Sequence, residues 1–354
     1  MFASLPTSSI SESSMANMRM RVAYEGESLV RELQENLGEN GLLESKNSNQ
    51  NNLDATAFGL NDGGDISMVR NRVASVPGVF QVHKHLGSGT FGDVWECDVA
   101  GHAARVAVKV LKPKTTRPSL ARECGVVEGL RHPNLVQFFQ AIEGPPSAII
   151  FELCLGGTLS QFIHPVHGHE AAFASITPRA RVRAALDVND GIEYLHSSGV
   201  VHRDVKPSNC LLSSAVEAGA TDIPPVKLGD FGLAQHEAEE MNQRVGTLCY
   251  MAPELMQGKN YGFPVDIYSF GMLFFELITG LVPFSTSPEH SQNEDAFVRA
   301  VCMGERPALD SSLLPVAVMG NVRSIIASSW SCEPGNRPTA GVLAEHLRSM
   351  WMTT

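Results

Sequence analysis

Gly87-Ser88-Gly89-Thr90-Phe91-Gly92, followed at once by Asp93-Val94-Trp95-Glu96, is the stretch on which the architecture turns. A G-x-G-x-x-G run in a dinucleotide-binding domain follows a strand and opens a helix. Here the residues after Gly92 continue as a strand, so the glycines sit on a hairpin. Without a Cβ, such a turn lets backbone N–H groups approach phosphate oxygens closely. A plain glycine-rich hairpin fits these residues equally well. Outward from it, residues 79–86, 93–99 and 105–111 read as three short strands with turn residues between them. Thr177-Pro178 is a good N-cap and first-turn pair. After it, Val182, Ala185, Leu186, Ile192 and Leu195 share one helical face that stops at Gly199. Residues 266–279 are apolar nearly all round, as a buried central helix would be. A strand-rich part followed by a helix-rich part predicts an α+β protein of two lobes, with the chemistry between them.

Composition narrows the function. The 354 residues include 27 basic and 38 acidic side chains, a formal charge of −11. That balance argues against a protein that mainly holds nucleic acid, which needs a basic footprint. No apolar run approaches the roughly 20 residues of a membrane span. The nearest, residues 267–284, carries Glu276 and Gly280. The seven cysteines, at 97, 124, 154, 210, 249, 302 and 332, never form a Cys-x-x-Cys pair. Free thiols in a reducing compartment are the expectation, hence a cytoplasmic protein.

Residues 1–76 differ from the rest. Ser-rich (8–14) and Asn-rich (47–52) stretches cannot bury enough apolar surface to offset their ordering entropy, so a mostly disordered extension is expected. Leu29, Val30, Leu33 and Leu37 recur at helical spacing before Gly38, a short stripe that is either a docking helix for a partner or a transient helix with no role. The first 22 residues loosely resemble an organelle transit peptide, although Glu12 counts against import.

Further motifs follow the glycine hairpin. Val106-Ala107-Val108-Lys109 puts an ammonium one strand later, and Glu123 falls in a predicted helix before Leu130-Arg131-His132-Pro133-Asn134. Then come His202-Arg203-Asp204-Val205-Lys206-Pro207-Ser208-Asn209, Asp230-Phe231-Gly232, Ala252-Pro253-Glu254, Asp266 and Arg337-Pro338. Over about residues 79–351 the sequence resembles the eukaryotic protein kinases. That resemblance implies a bilobal kinase fold within residues 77–352. Its β-rich N-lobe would span about 79–151 and its mainly helical C-lobe about 155–351, with ATP and Mg²⁺ in the cleft.

The resemblance also implies roles. Phosphoryl transfer passes through a loose, highly charged transition state, so positioning and electrostatics do most of the work. Lys109 would bridge the α- and β-phosphates, held by an ion pair with Glu123. Asn209 and Asp230 would hold Mg²⁺ through hard oxygens. Asp204 would orient the substrate hydroxyl and accept its proton, and Lys206 would steady the moving group. Leu86, Gly87, Ser88, Gly89, Thr90, Phe91, Gly92, Val94 and Ala107 would surround the nucleotide. Glu152 and Cys154 would bond adenine through the backbone, with Phe151 as gatekeeper. His202, Phe231 and Val127 would belong to an apolar stack linking the lobes, and Glu254 and Arg337 to a buried ion pair.

Lys206 and the loop Gly246-Thr247-Leu248-Cys249-Tyr250-Met251 are similar to the serine/threonine form, in which the threonine bridges Asp204 and Lys206. Leu155-Gly156-Gly157-Thr158-Leu159 and Trp330-Ser331-Cys332-Glu333-Pro334 lean toward the tyrosine-kinase-like branch. Protein substrates with Ser or Thr are therefore expected. Scaffolds of the same fold that lack catalysis typically lose residues at the places of Lys109, Asp204 or Asp230, all kept here. Residues 212–226 predict a hairpin insertion away from the chemistry. Arg203 precedes the catalytic Asp, and kinases with that arginine often wait for phosphate in the activation loop. Glu237, Glu239 and Glu240 lie in that loop, so either a carboxylate partly replaces the phosphate against Arg203 or the loop is a solvated acidic one.

Overall fold

Alternation within Val106–Leu111 shows how the upper lobe is built. A computed structural model describes residues 66–89, 92–112, 124–165, 170–217, 219–285, 293–309 and 319–353. The expected helical stripe at 29–37 and the first 65 residues lie outside these. Helix α1 (Ile66–Ala74) leads into β1 (Val79–Ser88), β2 (Gly92–Val99), β3 (Val106–Leu111), β4 (Phe138–Ile142) and β5 (Ala148–Glu152). These five form one antiparallel sheet of order β1-β2-β3-β5-β4. Successive strand side chains point to opposite faces. Val106, Val108 and Val110 pack with Trp95, Cys97 and Val99 in one cluster. Ala107 and Leu111 join the other, which continues into the lower lobe. Every residue of β3 is therefore buried.

What covers the outer face corrects the expected boundary at residue 76. Val73 and Val76 are buried against Trp95 and the β3 valines. Arg72 donates to the Leu111 carbonyl at 2.7 Å, and Arg70 to that of Val82 at 2.9 Å. Residues 66–76 are thus a lid on the sheet and not part of a disordered extension. The Ser- and Asn-rich composition upstream hid them, because their apolar partners lie on strands downstream. Burying each valine contributes about 1.5–3 kcal/mol.

The lower lobe is mainly helical, with α2 (Leu159–Ile163), α3 (Glu170–Ser175), α4 (Pro178–Ser197), α5 (Pro253–Met256), α6 (Pro264–Thr279), α7 (Glu294–Cys302), α8 (Met319–Ser329) and α9 (Ala340–Thr353). Thr177 caps α4 by accepting from the Ala180 amide, with Pro178 in the first turn. Residues 265–278 of α6 are all buried, so this helix is the axle of the lobe. Two short ribbons lie against α4. They pair β6 (Val200–Val201) with β9 (Gln235–His236), and β7 (Cys210–Leu212) with β8 (Val226–Leu228). The β7–β8 pair is the predicted hairpin. Its connection is tied back onto α4, where Arg183 reaches the carbonyls of Ile223 and Pro224 and Thr177 bonds that of Thr221. The Glu254–Arg337 pair is buried and bidentate, at 2.6 and 2.8 Å. No described helix is long and apolar enough to cross a membrane.

Candidate active site

The floor of the cleft hangs from the axle helix. Asp266, wholly buried near the start of α6, accepts the backbone N–H of His202 and that of Arg203, each at 2.8 Å. His196 Nε2 lies 2.9 Å from the same carboxylate. Burial pushes the Asp266 carboxyl up, but the bond and charge of His196, with His202, outweigh it and hold it below the usual value. Arg203 has a left-handed φ of 68°. A non-glycine residue rarely takes that conformation unless its surroundings impose it, and two amides fixed on one carboxylate do so.

From this anchored loop Asp204 projects as a hydrogen-bond hub. Lys206 Nζ lies 2.7 Å from its Oδ2, and Asn209 Nδ2 donates to the same oxygen at 2.9 Å. Thr247 Oγ1 donates to Oδ1 at 3.0 Å and itself accepts from Lys206 Nζ at 2.5 Å. Gly246 makes that approach feasible, since its φ is 103° and a Cβ there would fall 2.7 Å from the Arg203 carbonyl oxygen. Asn209 spends its amide nitrogen on Asp204, also reaching the backbone carbonyl at 2.8 Å, so its Oδ1 keeps its lone pairs for another partner.

The upper lobe adds the second charge. Lys109, buried on β3, places Nζ 3.1 Å from Asp230 Oδ1. Asp230 follows β8 in the left-handed region, with φ 57° and ψ 72°, and its side chain is 47 % exposed toward the cleft. Partial burial pushes its carboxyl up, but Lys109 first, then His202 and Lys206, hold it below the ordinary range. Hard oxygens on Asn209 and Asp230 suit a hard divalent cation.

The nucleotide-facing residues divide into described and undescribed ones. Leu86, Val94, Ala107 and Phe151 pack on the cleft side of the sheet. Phe151 stands edge-on to Phe138, with ring centroids 6.1 Å apart. Glu152 is fixed through its side chain, which accepts the Gln137 amide at 2.8 Å and pairs with Lys227 at 3.0 Å. The backbone N–H and C=O of Cys154 bond no described protein group, which suits them to an incoming base. Burial pushes the Cys154 thiol up to about 12, so it stays protonated. In the glycine hairpin, Gly89 N–H bonds the Gly92 carbonyl at 2.8 Å, and Ser88 donates to Asp93 at 2.7 Å. A Cβ on Gly92 would lie 2.5 Å from the Val110 carbonyl oxygen, so only glycine lets β2 meet β3 there. Thr90, Phe91 and Glu123 lie outside the described residues, and helix is present at 124–127. Val127 is buried in the main core, where the rings of His202 and Phe231 sit 5.5 Å apart.

Of the two readings of the acidic loop, the solvated one holds. Among the described residues no carboxylate pairs with Arg203, whose Nε donates to the Leu233 carbonyl at 2.6 Å and Nη1 to the Tyr261 hydroxyl at 3.2 Å. Glu239 accepts from Gln235 instead, Glu240 accepts from Asn242, and Glu237 lies against Gly262. Carboxylates on an exposed turn keep more solvation by facing water than by entering a closed site. Sequence reasoning missed Tyr261 and the clamp of His196 on Asp266. It also missed the trio in which the buried Glu276 meets the half-buried His164 at 2.8 Å and accepts from Tyr250 at 2.5 Å. The one legible signal for that trio was Glu276 itself, a charge in the apolar stretch of the helix that follows Asp266.

Ammonium groups face this cleft from both lobes, and a carboxylate fixed as an acceptor stands at its floor, which is the layout of a phosphotransferase. The chain belongs to the protein kinase family, whose domain model matches residues 80–352. It is 32 % identical over 269 residues to serine/threonine-protein kinase VIK of Arabidopsis thaliana, covering 72 % of this chain and 56 % of that protein. It is 34 % identical over 244 residues to the serine/threonine/tyrosine-protein kinase HT1 of the same plant, covering 66 % and 57 %. It is 31 % identical over 277 residues to a probable serine/threonine-protein kinase, gdt2, of Dictyostelium discoideum, covering 76 % and 16 %. The chain thus spans little more than half of the two plant relatives and a small part of the third.

Proposed function

We propose that this protein transfers the γ-phosphoryl group of Mg-ATP to serine and threonine hydroxyls of protein substrates in intracellular signalling. The observation that carries the reading is the Asp204–Lys206–Thr247 hub. Asp204 is held by three donors with one face toward the cleft, so it can align an incoming hydroxyl and take its proton. The hydroxyl oxygen forms the new bond to phosphorus as the bond to the departing ADP oxygen breaks. Lys109 and Lys206 offset the charge gathering on the transferred group. Asn209 and Asp230 would hold Mg²⁺, which draws charge from the phosphate oxygens when bound. Cys154 would read adenine through its backbone, and Gly87 to Gly92 would cover the phosphates.

Thr247 bridges Asp204 and Lys206, the arrangement of the serine/threonine form of this loop, and that supports Ser and Thr as acceptors. No disulfide joins any two of the described cysteines, which supports a reducing, cytoplasmic setting. Phosphoamino-acid analysis of a generic protein substrate labelled from ATP tests this specificity. Phosphoserine and phosphothreonine are expected, and phosphotyrosine as the main product would overturn it.

A further inference from the structure

Arg203 is a buried cation with neutral partners. It is 6 % exposed, and its two side-chain hydrogen bonds end on a carbonyl and a phenol. A buried charge is costly unless hydrogen bonds or a counter-charge compensate it, so these two oxygens matter. The Tyr261 hydroxyl works in both directions. It accepts from Arg203 and donates to the Gln243 carbonyl at 3.0 Å, while the Tyr261 amide bonds the Met241 carbonyl at 3.2 Å. Each bond polarises the next in such a chain. Through it, the peptide next to Asp204 is tied to Leu233 at one end of the segment and to residues 241–243 farther on. A few residues later the same segment delivers Gly246 and Thr247 to Asp204.

Between Asp230 and Glu254 the chain carries two hydroxyl side chains, Thr247 and Tyr250. Both are committed, Thr247 to Asp204 and Lys206, and Tyr250 to the buried Glu276. A phosphoryl group on either would break those bonds.

We infer that Tyr261 is a positioning residue for the phosphoryl-transfer reaction, acting through Arg203, and that its hydroxyl sets the active segment without any phosphate between Asp230 and Glu254. This rests on the phosphotransferase reading above. The test uses the full chain as wild type, Tyr261→Phe, Arg203→Gln and the double variant. Each is treated with phosphatase and checked by mass spectrometry before and after assay. Phosphate-free wild type is expected to keep its kcat within about twofold. Tyr261→Phe is expected to lose about tenfold in kcat, near 1.4 kcal/mol, with KM for ATP unchanged. In the Arg203→Gln background the same change should cost less than about twofold, because the hydroxyl acts through the arginine.

Three results would overturn the inference. They are loss of activity on phosphate removal, full activity in Tyr261→Phe, and an equal loss in both backgrounds. The last outcome also identifies a general folding defect, which would persist without Arg203. Wild type that transfers no phosphate in any state would instead defeat the phosphotransferase reading itself.

Discussion

At the scale of single residues, two oxygen-centred anchors organise the chemistry. Thr247 joins the activation segment to the catalytic loop through two bonds, so Thr247→Val should lower kcat on the order of 10–100-fold by misplacing Asp204 and Lys206. Steady-state kinetics with a thermal melt separates this from unfolding. Asp266 anchors two amides and His196 without reaching the cleft. Asp266→Ala strands those donors, and a stability loss of about 3–5 kcal/mol is expected from urea unfolding at neutral pH. Its carboxyl is depressed in the fold, so its contribution is fully present above the ordinary carboxylate pKa. It is lost as pH falls through the depressed value, and the gap between wild type and variant should narrow in acid. An unchanged gap from neutral to strongly acidic pH would contradict this assignment. Asp204, Lys206 and Asn209 were legible in the sequence because they share one short stretch. Tyr261 was not, because its partner lies 58 residues away.

At the scale of elements, the lid helix and the glycine hairpin govern how the lobe holds its lysine. Arg72 bonds the carbonyl that ends β3, the strand of Lys109. A protein beginning at residue 77 exposes the apolar face of Trp95 and the β3 valines. It should be less stable than one beginning at residue 66 by about 3–6 kcal/mol, the burial of two valines. Equal denaturation midpoints would contradict the lid. Gly92→Ala forces β2 away from β3 and should raise KM for ATP several-fold with less effect on saturated turnover. The strands themselves were readable from alternation, as was the helix capped by Thr177. The lid was not, because two valines in a polar stretch carry no period, and their burial depends on strands that follow later in the chain.

At the scale of the whole molecule, the lobes meet through the ion pairs of Lys109 with Asp230 and Glu152 with Lys227, and through hydrogen bonds of Asn134 and Val136 to the β8 strand and of the Arg131 amide to Tyr194. The bilobal plan could be inferred from the order of strands and helices. Which face of each lobe meets the cleft could not, since that depends on β3 alternation and on α6 being buried along its length. A cleft that binds nucleotide and still fails to transfer phosphate would make the fold a binding scaffold. The most direct measurement is therefore labelled phosphate transfer from ATP with Mg²⁺ by wild type, Lys109→Met, Asp230→Asn and Asp204→Asn, with nucleotide binding measured alongside. Wild type should transfer. Asp204→Asn should retain nucleotide and lose at least about 100-fold in rate, and the other two should be inactive. Nucleotide binding without transfer by wild type, or full activity in Asp204→Asn, would contradict the assignment of this cleft as the catalytic centre.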